Sequence, residues 1–260
     1  MSWVHIVTVG ASLATNRERI QGSGLREYEL EEMLRVKGEA YRNNYVRELV
    51  KFIVTMERDG RIHESCAELN ALSRRLNEVS MVYLVHPDTE LGRCCARALK
   101  DYLESKKVRV AGLREVEGLR SSETFQEGLA NLVYDMAELL AAHRGSVRIC
   151  ATGGFKPETA IASIVGFIAK APVYYIHEAF REEIHLPSIP IKWSIDGRYI
   201  GAIEAILSTE EGLDIREFEK KFGYDAARTL LDSWMIEEYE KRYRATKITR
   251  AILQAIRLLR

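Results

Sequence analysis

Two short turns, far apart in the chain, hold the residues best suited to chemistry: Gly10-Ala11-Ser12-Leu13-Ala14-Thr15-Asn16 and Thr152-Gly153-Gly154-Phe155-Lys156-Pro157-Glu158. Both combine glycine with hydroxyl side chains, and the second adds a lysine. Glycines let backbone N–H groups close around an anion with no Cβ in the way. Lys156 directly precedes Pro157, a residue favoured at the first helical position, so the lysine is expected at a helix N-cap. There the positive end of the helix dipole repels an ammonium and attracts an anion, by roughly 0.3–1 kcal/mol at an exposed terminus. A lysine at that place points to a strong negative charge beside it. An ordinary β-to-α turn with a solvated lysine would look the same over these few residues, and the matching hydroxyl turn at Ser12 favours a phosphate site.

The elements that must position these turns are readable as alternating apolar runs and amphipathic stretches. The first turn follows Val4-His5-Ile6-Val7-Thr8-Val9 and the second follows Val147-Arg148-Ile149-Cys150-Ala151, both strand-like. In a parallel sheet both turns would open at the C-terminal edge of the strands, where open α/β sheets bind ligands. Residues 25–59 read as a long charged helix and 64–77 as a second one. Met81-Val82-Tyr83-Leu84-Val85 is a further strand, ending in His86-Pro87-Asp88-Thr89, with Asp88 or Thr89 able to cap the next helix. A weaker strand at 108–113, helices over 121–143 and 157–170, and a strand at 173–177 complete the pattern. This order predicts an α/β fold with a Rossmann-like, mainly parallel sheet and helices on both faces.

Composition bounds the partners. The 260 residues carry 47% hydrophobic side chains, enough to fill one large core or two smaller ones. Lys plus Arg (38) equals Asp plus Glu (38), so no overall basic field draws in nucleic acid, and phosphate recognition must be local. The four cysteines, Cys66, Cys94, Cys95 and Cys150, show no CxxC spacing. With no signal peptide or membrane-length apolar run in sight, these features predict a cytoplasmic protein with no structural zinc and no membrane partner.

The pattern changes near Leu186-Pro187-Ser188-Ile189-Pro190, which reads as an edge segment or linker. We therefore expect one domain over 1–195 and a smaller, mostly helical one over 196–260. Helical periods at 199–207, 214–222 and 225–235, a wing over 237–245 and a terminal helix over 247–259 resemble a winged helix-turn-helix unit. From Gly197 to Arg260 there are 12 basic and 11 acidic residues, a balance that does not favour DNA. The exception is Lys241 to Arg260, with seven basic residues and no acidic ones, a pattern that is more often a solvated helix face than a binding surface.

The stretch Gly10 to Asn16, the Asp88-Thr89-Glu90-Leu91-Gly92 turn and the Thr152 to Glu158 turn together resemble the CRISPR-associated Rossmann-fold domains called CARF. Residues 1–195 carry most of this resemblance, which extends in outline to standalone archaeal CARF proteins with a C-terminal winged helix that act as ring nucleases. The resemblance implies a homodimer that holds cyclic tetra-adenylate across its two-fold axis and cleaves it without metal or cofactor. It further implies that the ribose 2′-OH is the nucleophile, giving a 2′,3′-cyclic phosphate. Lys156 would then stabilise transition-state charge, and Ser12 would bond the phosphate or position the 2′-OH. Thr15, Asn16, Thr152, Gly153 and Gly154 would donate to the ligand, with Gly10, Ala11, Leu13, Asp88, Thr89 and Phe155 completing its site.

Other features compete. Arg58 and His63 have the R-x4-H spacing of HEPN ribonucleases, but they lie at the end of the long helix, no separate HEPN-like domain follows them, and such spacings arise by chance in an arginine-rich chain. His86 and His177 fall at strand C-termini, where an imidazole could act as acid or base or simply pack or cap. Two other functions would use the same turns. One is a messenger-binding transcriptional regulator gripping DNA with its winged helices. The other is an unrelated nucleotide-binding Rossmann enzyme, disfavoured because the first turn lacks G-x-G-x-x-G.

Overall fold

Apolar runs of β-branched residues, each followed by an amphipathic helix, build the larger part of the protein. The computed structural model describes residues 2–176, 182–188 and 196–259. The strands are β1 (Trp3–Thr8), β2 (Val79–Pro87), β3 (Val110–Val116), β4 (Val147–Cys150), β5 (Val173–Ile176) and β6 (Glu183–Leu186). They form one sheet in the order β3-β2-β1-β4-β5-β6, parallel throughout except for β6. The expected Rossmann-like sheet is therefore present. The antiparallel β6, a strand the sequence reading did not assign, covers the edge at β5 and ends at Leu186, where the stretch read as an edge segment or linker begins. His177 lies outside the described residues.

Helices α1 (Ser12–Gln21), α2 (Glu27–Arg58), α3 (Ala67–Leu72), α4 (Glu90–Ser105), α5 (Phe125–Ala142) and α6 (Lys156–Ala169) cover the two faces. One face carries α1 to α4, and α5 and α6 lie on the other. On α4 the buried residues Leu91, Cys95, Leu99 and Tyr102 recur every three or four positions, which seats one stripe against the sheet. Each such leucine contributes about 1.5–3 kcal/mol by leaving water. His5, inside β1, is fully buried against the Tyr174 hydroxyl at 2.7 Å, and burial lowers its pKa to about 4.

Two helix expectations need correction. The long helix breaks at Gly38, whose φ of 78° lies outside the helical region and suits glycine. The helix expected over 64–77 is three short pieces: a 3₁₀ turn at Ile62–Glu64, α3, and a second 3₁₀ turn at Ser73–Glu78. Cys66 caps α3 with its sulfur accepting from Leu69 N at 3.4 Å, and Glu68 in the first turn of α3 is held in the core by Gly10 N and the Ser12 hydroxyl of the turn after β1. Those long-range bonds outweigh a continuous helical period.

The C-terminal part is mainly helical, with α7 (Ile200–Leu207), β7 (Leu213–Asp214), α8 (Ile215–Phe222), α9 (Tyr224–Asp232), β8 (Ile236–Tyr239), β9 (Arg242–Ala245) and α10 (Lys247–Leu259). Its three strands form an antiparallel sheet in the order β7-β9-β8. Ile206, Phe218, Leu230 and Tyr243 fill a core of its own. The last helix serves both parts: Leu253 enters this core, while Ala251 and Ala255 pack into the core beneath α5. Small alanines on that face let α10 and α5 approach closely.

Candidate functional site

Strand order reverses between β1 and β4, which pair in parallel while their helices α1 and α6 lie on opposite faces. The crevice outside the C-termini of such a pair is the place where helix N-termini and backbone N–H groups converge. Here it is a cavity of about 250 Å³ lined by Gly10, Ala11, Ser12, Thr15, Thr89, Thr152, Gly153, Gly154 and Phe155, with Glu27 and Glu158 among its further walls. Nine of the residues anticipated from sequence thus meet in one place although up to 145 positions separate them. Four do not line it.

The two turns touch through glycine. A Cβ on Gly10 would stand 2.7 Å from the Gly154 nitrogen, so any larger residue there would push the turns apart. Thr8, the last residue of β1, donates its hydroxyl proton to the Gly153 carbonyl at 2.6 Å and joins the strand to the second turn. Gly154 itself has a φ of 94°, a conformation that side-chain-bearing residues rarely adopt.

Behind the first turn sits a residue that sequence reading missed. Glu68 is only 1% exposed, and its carboxylate accepts from Gly10 N at 2.8 Å and from Ser12 Oγ at 3.0 Å. Ser12 Oγ in turn accepts from Ala67 N at 3.1 Å. The serine is the first residue of α1, not its cap, and its proton is already committed to Glu68. The hydroxyl keeps a second acceptor position, and Ser12 lines the crevice. Desolvation raises the Glu68 pKa, opposed by the bonds from Gly10 and Ser12. The available hint was an acid within Cys66-Ala67-Glu68-Leu69, a short stretch otherwise apolar.

The second turn is built differently. Phe155 is the N-cap of α6, Lys156 its first residue and Pro157 its second, one position later than expected. The correction leaves the electrostatics intact, because Lys156 still stands in the first turn of the helix. Its ammonium is exposed, with no ion pair or hydrogen bond among the described residues. It lines a groove of about 580 Å³ along α6 and β5, which shares Thr152 and Gly154 with the crevice. Glu158 folds back so that Oε2 accepts from Phe155 N at 3.1 Å. This carboxyl is 4% exposed, and burial lifts its pKa to about 7, with the charge of Glu27 adding to the shift.

Four anticipated residues point elsewhere. Leu13 is fully buried in the core. Asn16 donates to the carbonyls of Glu64 and Ser65, at 3.3 and 3.4 Å, and accepts from Arg19. Asp88 accepts from Gly118 N at 3.1 Å, pairs with Arg120 and lines a separate cleft beside β3. Lys156 lies in the adjoining groove, as described. In the turn after β2, Thr89 caps α4 by accepting from Gly92 N at 3.0 Å, and in the turn after β4, Thr152 Oγ1 accepts from Ile176 N at 3.2 Å.

The competing motifs are accounted for locally. Arg58 pairs with Asp59 and His63 with Glu64, so the R-x4-H spacing builds no shared site. His86 is 4% exposed with Nδ1 2.9 Å from the Pro87 carbonyl, and burial lowers its pKa, as befits a packed histidine. No described helix is long and apolar enough to cross a membrane.

Residues 63–189 match the model of a protein family described as CRISPR-associated protein (Cas_APE2256). The match takes in the β2 turn and the Thr152 to Glu158 turn, and it begins beyond Ser12.

Proposed function

We propose that this chain, which over residues 63–189 belongs to a CRISPR-associated, CARF-containing family, binds cyclic tetra-adenylate at the β1/β4 crevice and opens the ring. The observation that carries the reading is the exposed Lys156 ammonium, without a partner among the described residues, in the first turn of α6 beside a glycine-lined crevice at the strand switch point. An ammonium held against the positive end of a helix dipole gains from a phosphate as its counter-ion. A crevice of about 250 Å³ is too small for a ring of four nucleotides, so a homodimer would place two crevices across a two-fold axis that the ring itself shares.

In the proposed reaction the ribose 2′-oxygen attacks the adjacent phosphorus and the bond from phosphorus to the 5′-oxygen breaks. The 2′-proton is lost to solvent and the departing 5′-oxygen gains one, leaving a 2′,3′-cyclic phosphate and a 5′-hydroxyl. The nucleophile belongs to the substrate, so the protein's task is to hold it in line and to stabilise charge. Lys156 would meet the charge that develops on the phosphoryl oxygens. Ser12, with its proton given to Glu68, would accept a hydrogen bond from the 2′-OH and so turn that oxygen toward phosphorus. The backbone of Gly153 and Gly154 would supply further donors.

A DNA-binding regulator that senses the ring is the competing reading, and the C-terminal part gives it little support. Arg250 is used to hold the carbonyls of Ile206, Leu207 and Thr209, and Arg242, Arg244 and Lys247 pair with Glu211, Glu237 and Glu127. Helix α9, the one a winged helix would insert into DNA, carries Asp225 and an Arg228–Asp232 pair. The test is incubation of the purified protein with cyclic tetra-adenylate in EDTA. Ring opening by wild type that Lys156→Ala abolishes supports cleavage; tight binding without product overturns it in favour of a sensor.

A further inference from the structure

One residue of the crevice wall carries a buried polar atom that nothing among the described residues bonds. Glu158 is 4% exposed and lines the cavity, and while Oε2 accepts from Phe155 N, Oε1 is buried with no hydrogen-bond partner among the described residues. A buried oxygen left in that state costs about 1–3 kcal/mol, more when it is charged, so its retention calls for a partner that arrives from outside. An ionised carboxylate would repel the phosphates that the neighbouring glycine turns and Lys156 suit. A carboxylic acid would not, because Oε1–H is a donor.

We propose that Glu158 works as a neutral acid whose Oε1–H donates a hydrogen bond to a non-bridging phosphate oxygen of the ligand. This rests on the reading of the crevice as a phosphodiester site, and it makes Glu158 a ligand-binding residue that no sequence motif marks. The surroundings favour the protonated form. Burial is the largest influence and the Glu27 carboxylate of α2 adds to it; Glu68 of α3 lies beyond Gly153 and is bonded to the other turn, and Lys156 lies in the adjoining groove. Phosphodiesters do not titrate near neutrality, so any pH dependence of binding in that range reports on the protein.

Equilibrium binding of cyclic tetra-adenylate, and separately of the linear dinucleotide ApA, should be measured for wild type, Glu158→Gln and Glu158→Ala between pH 6 and 8.5. If Oε1–H is the donor, wild-type affinity falls by up to about tenfold per pH unit above about 7. Glu158→Gln, which keeps a donor that cannot ionise, binds with a flat profile over the same range. Glu158→Ala binds about tenfold or more weakly than wild type at pH 6. A Glu158→Gln profile as steep as wild type, or Glu158→Ala binding as tightly as wild type at pH 6, overturns the proposal. Thermal melting of each variant separates loss of the donor from loss of the fold. Failure to bind the ring with Glu158-dependent binding of ApA sinks the ring reading and keeps this one. Ring binding that ignores Glu158 does the reverse, and failure to bind either probe overturns both.

Discussion

The two turns at the switch point share glycines and hydroxyls in sequence, yet one is closed and the other open. In the first, Gly10 N and the Ser12 proton are bound to Glu68, and Ala67 N holds the serine oxygen from behind. In the second, Lys156 has no partner among the described residues and Glu158 Oε1 is unsatisfied. The first turn is a wall with its hydrogen bonds made internally, and the second leaves an ammonium and one carboxyl oxygen without partners among the described residues. In the proposed reaction such a division would let one wall fix the reacting atoms while the other supplied charge.

Substitutions break or sharpen that contrast. The largest effect belongs to the open turn: Lys156→Ala should lower single-turnover ring cleavage by about 10²–10³ while changing the melting temperature little. A comparable loss of stability would mean the lysine holds the fold. Next comes the support of the closed turn. Glu68→Ala removes the acceptor for Gly10 N and Ser12 and leaves a cavity, and should cost about 3 kcal/mol in denaturant unfolding. Ser12→Ala should cost less, about 1 kcal/mol, because it removes one hydroxyl from a network whose other members survive. If Ser12 is only structural, that variant cleaves as well as wild type; if it orients the 2′-OH, turnover falls with little change in melting.

The smallest effect concerns Glu158. Its folded-state pKa of about 7 lies above the ordinary value of 4.5, so the folded state holds this proton more tightly than the unfolded chain. The associated stability is fully present below about pH 4.5 and is lost as pH rises through about 7. Glu158→Gln escapes that loss. Its melting temperature relative to wild type should therefore rise by a few degrees between pH 5 and pH 8, and a constant difference would place the carboxyl in water.

Much of this architecture was legible along the chain. Val4 to Val9, Met81 to Val85 and Val147 to Ala151 are apolar enough to be nothing but buried strands, and the turns that follow them carry glycine where backbone must approach backbone. The C-terminal helices and the hairpin also follow their local periods. What failed was long-range. Gly38 interrupts a helical pattern that its neighbours continue, and the pieces around α3 owe their breaks to Glu68, whose partners lie more than 50 positions away. Leu13, Asn16 and Asp88 sit within or beside promising turns but face the core, the α3 segment and the β3 side of the sheet.

Taken alone, the sequence determined the alternation of strands and helices and the placement of Ser12 and Lys156 after strands, because hydrophobic period and turn chemistry act between near neighbours. The tertiary structure decided which polar groups remain available, since the protons of Gly10 and Ser12 were claimed by an acid from a distant segment, and Lys156 and Glu158 were left on the open side. Burial sets that outcome: a buried donor must find an acceptor wherever the folded chain brings one, and only the folded chain says where that is.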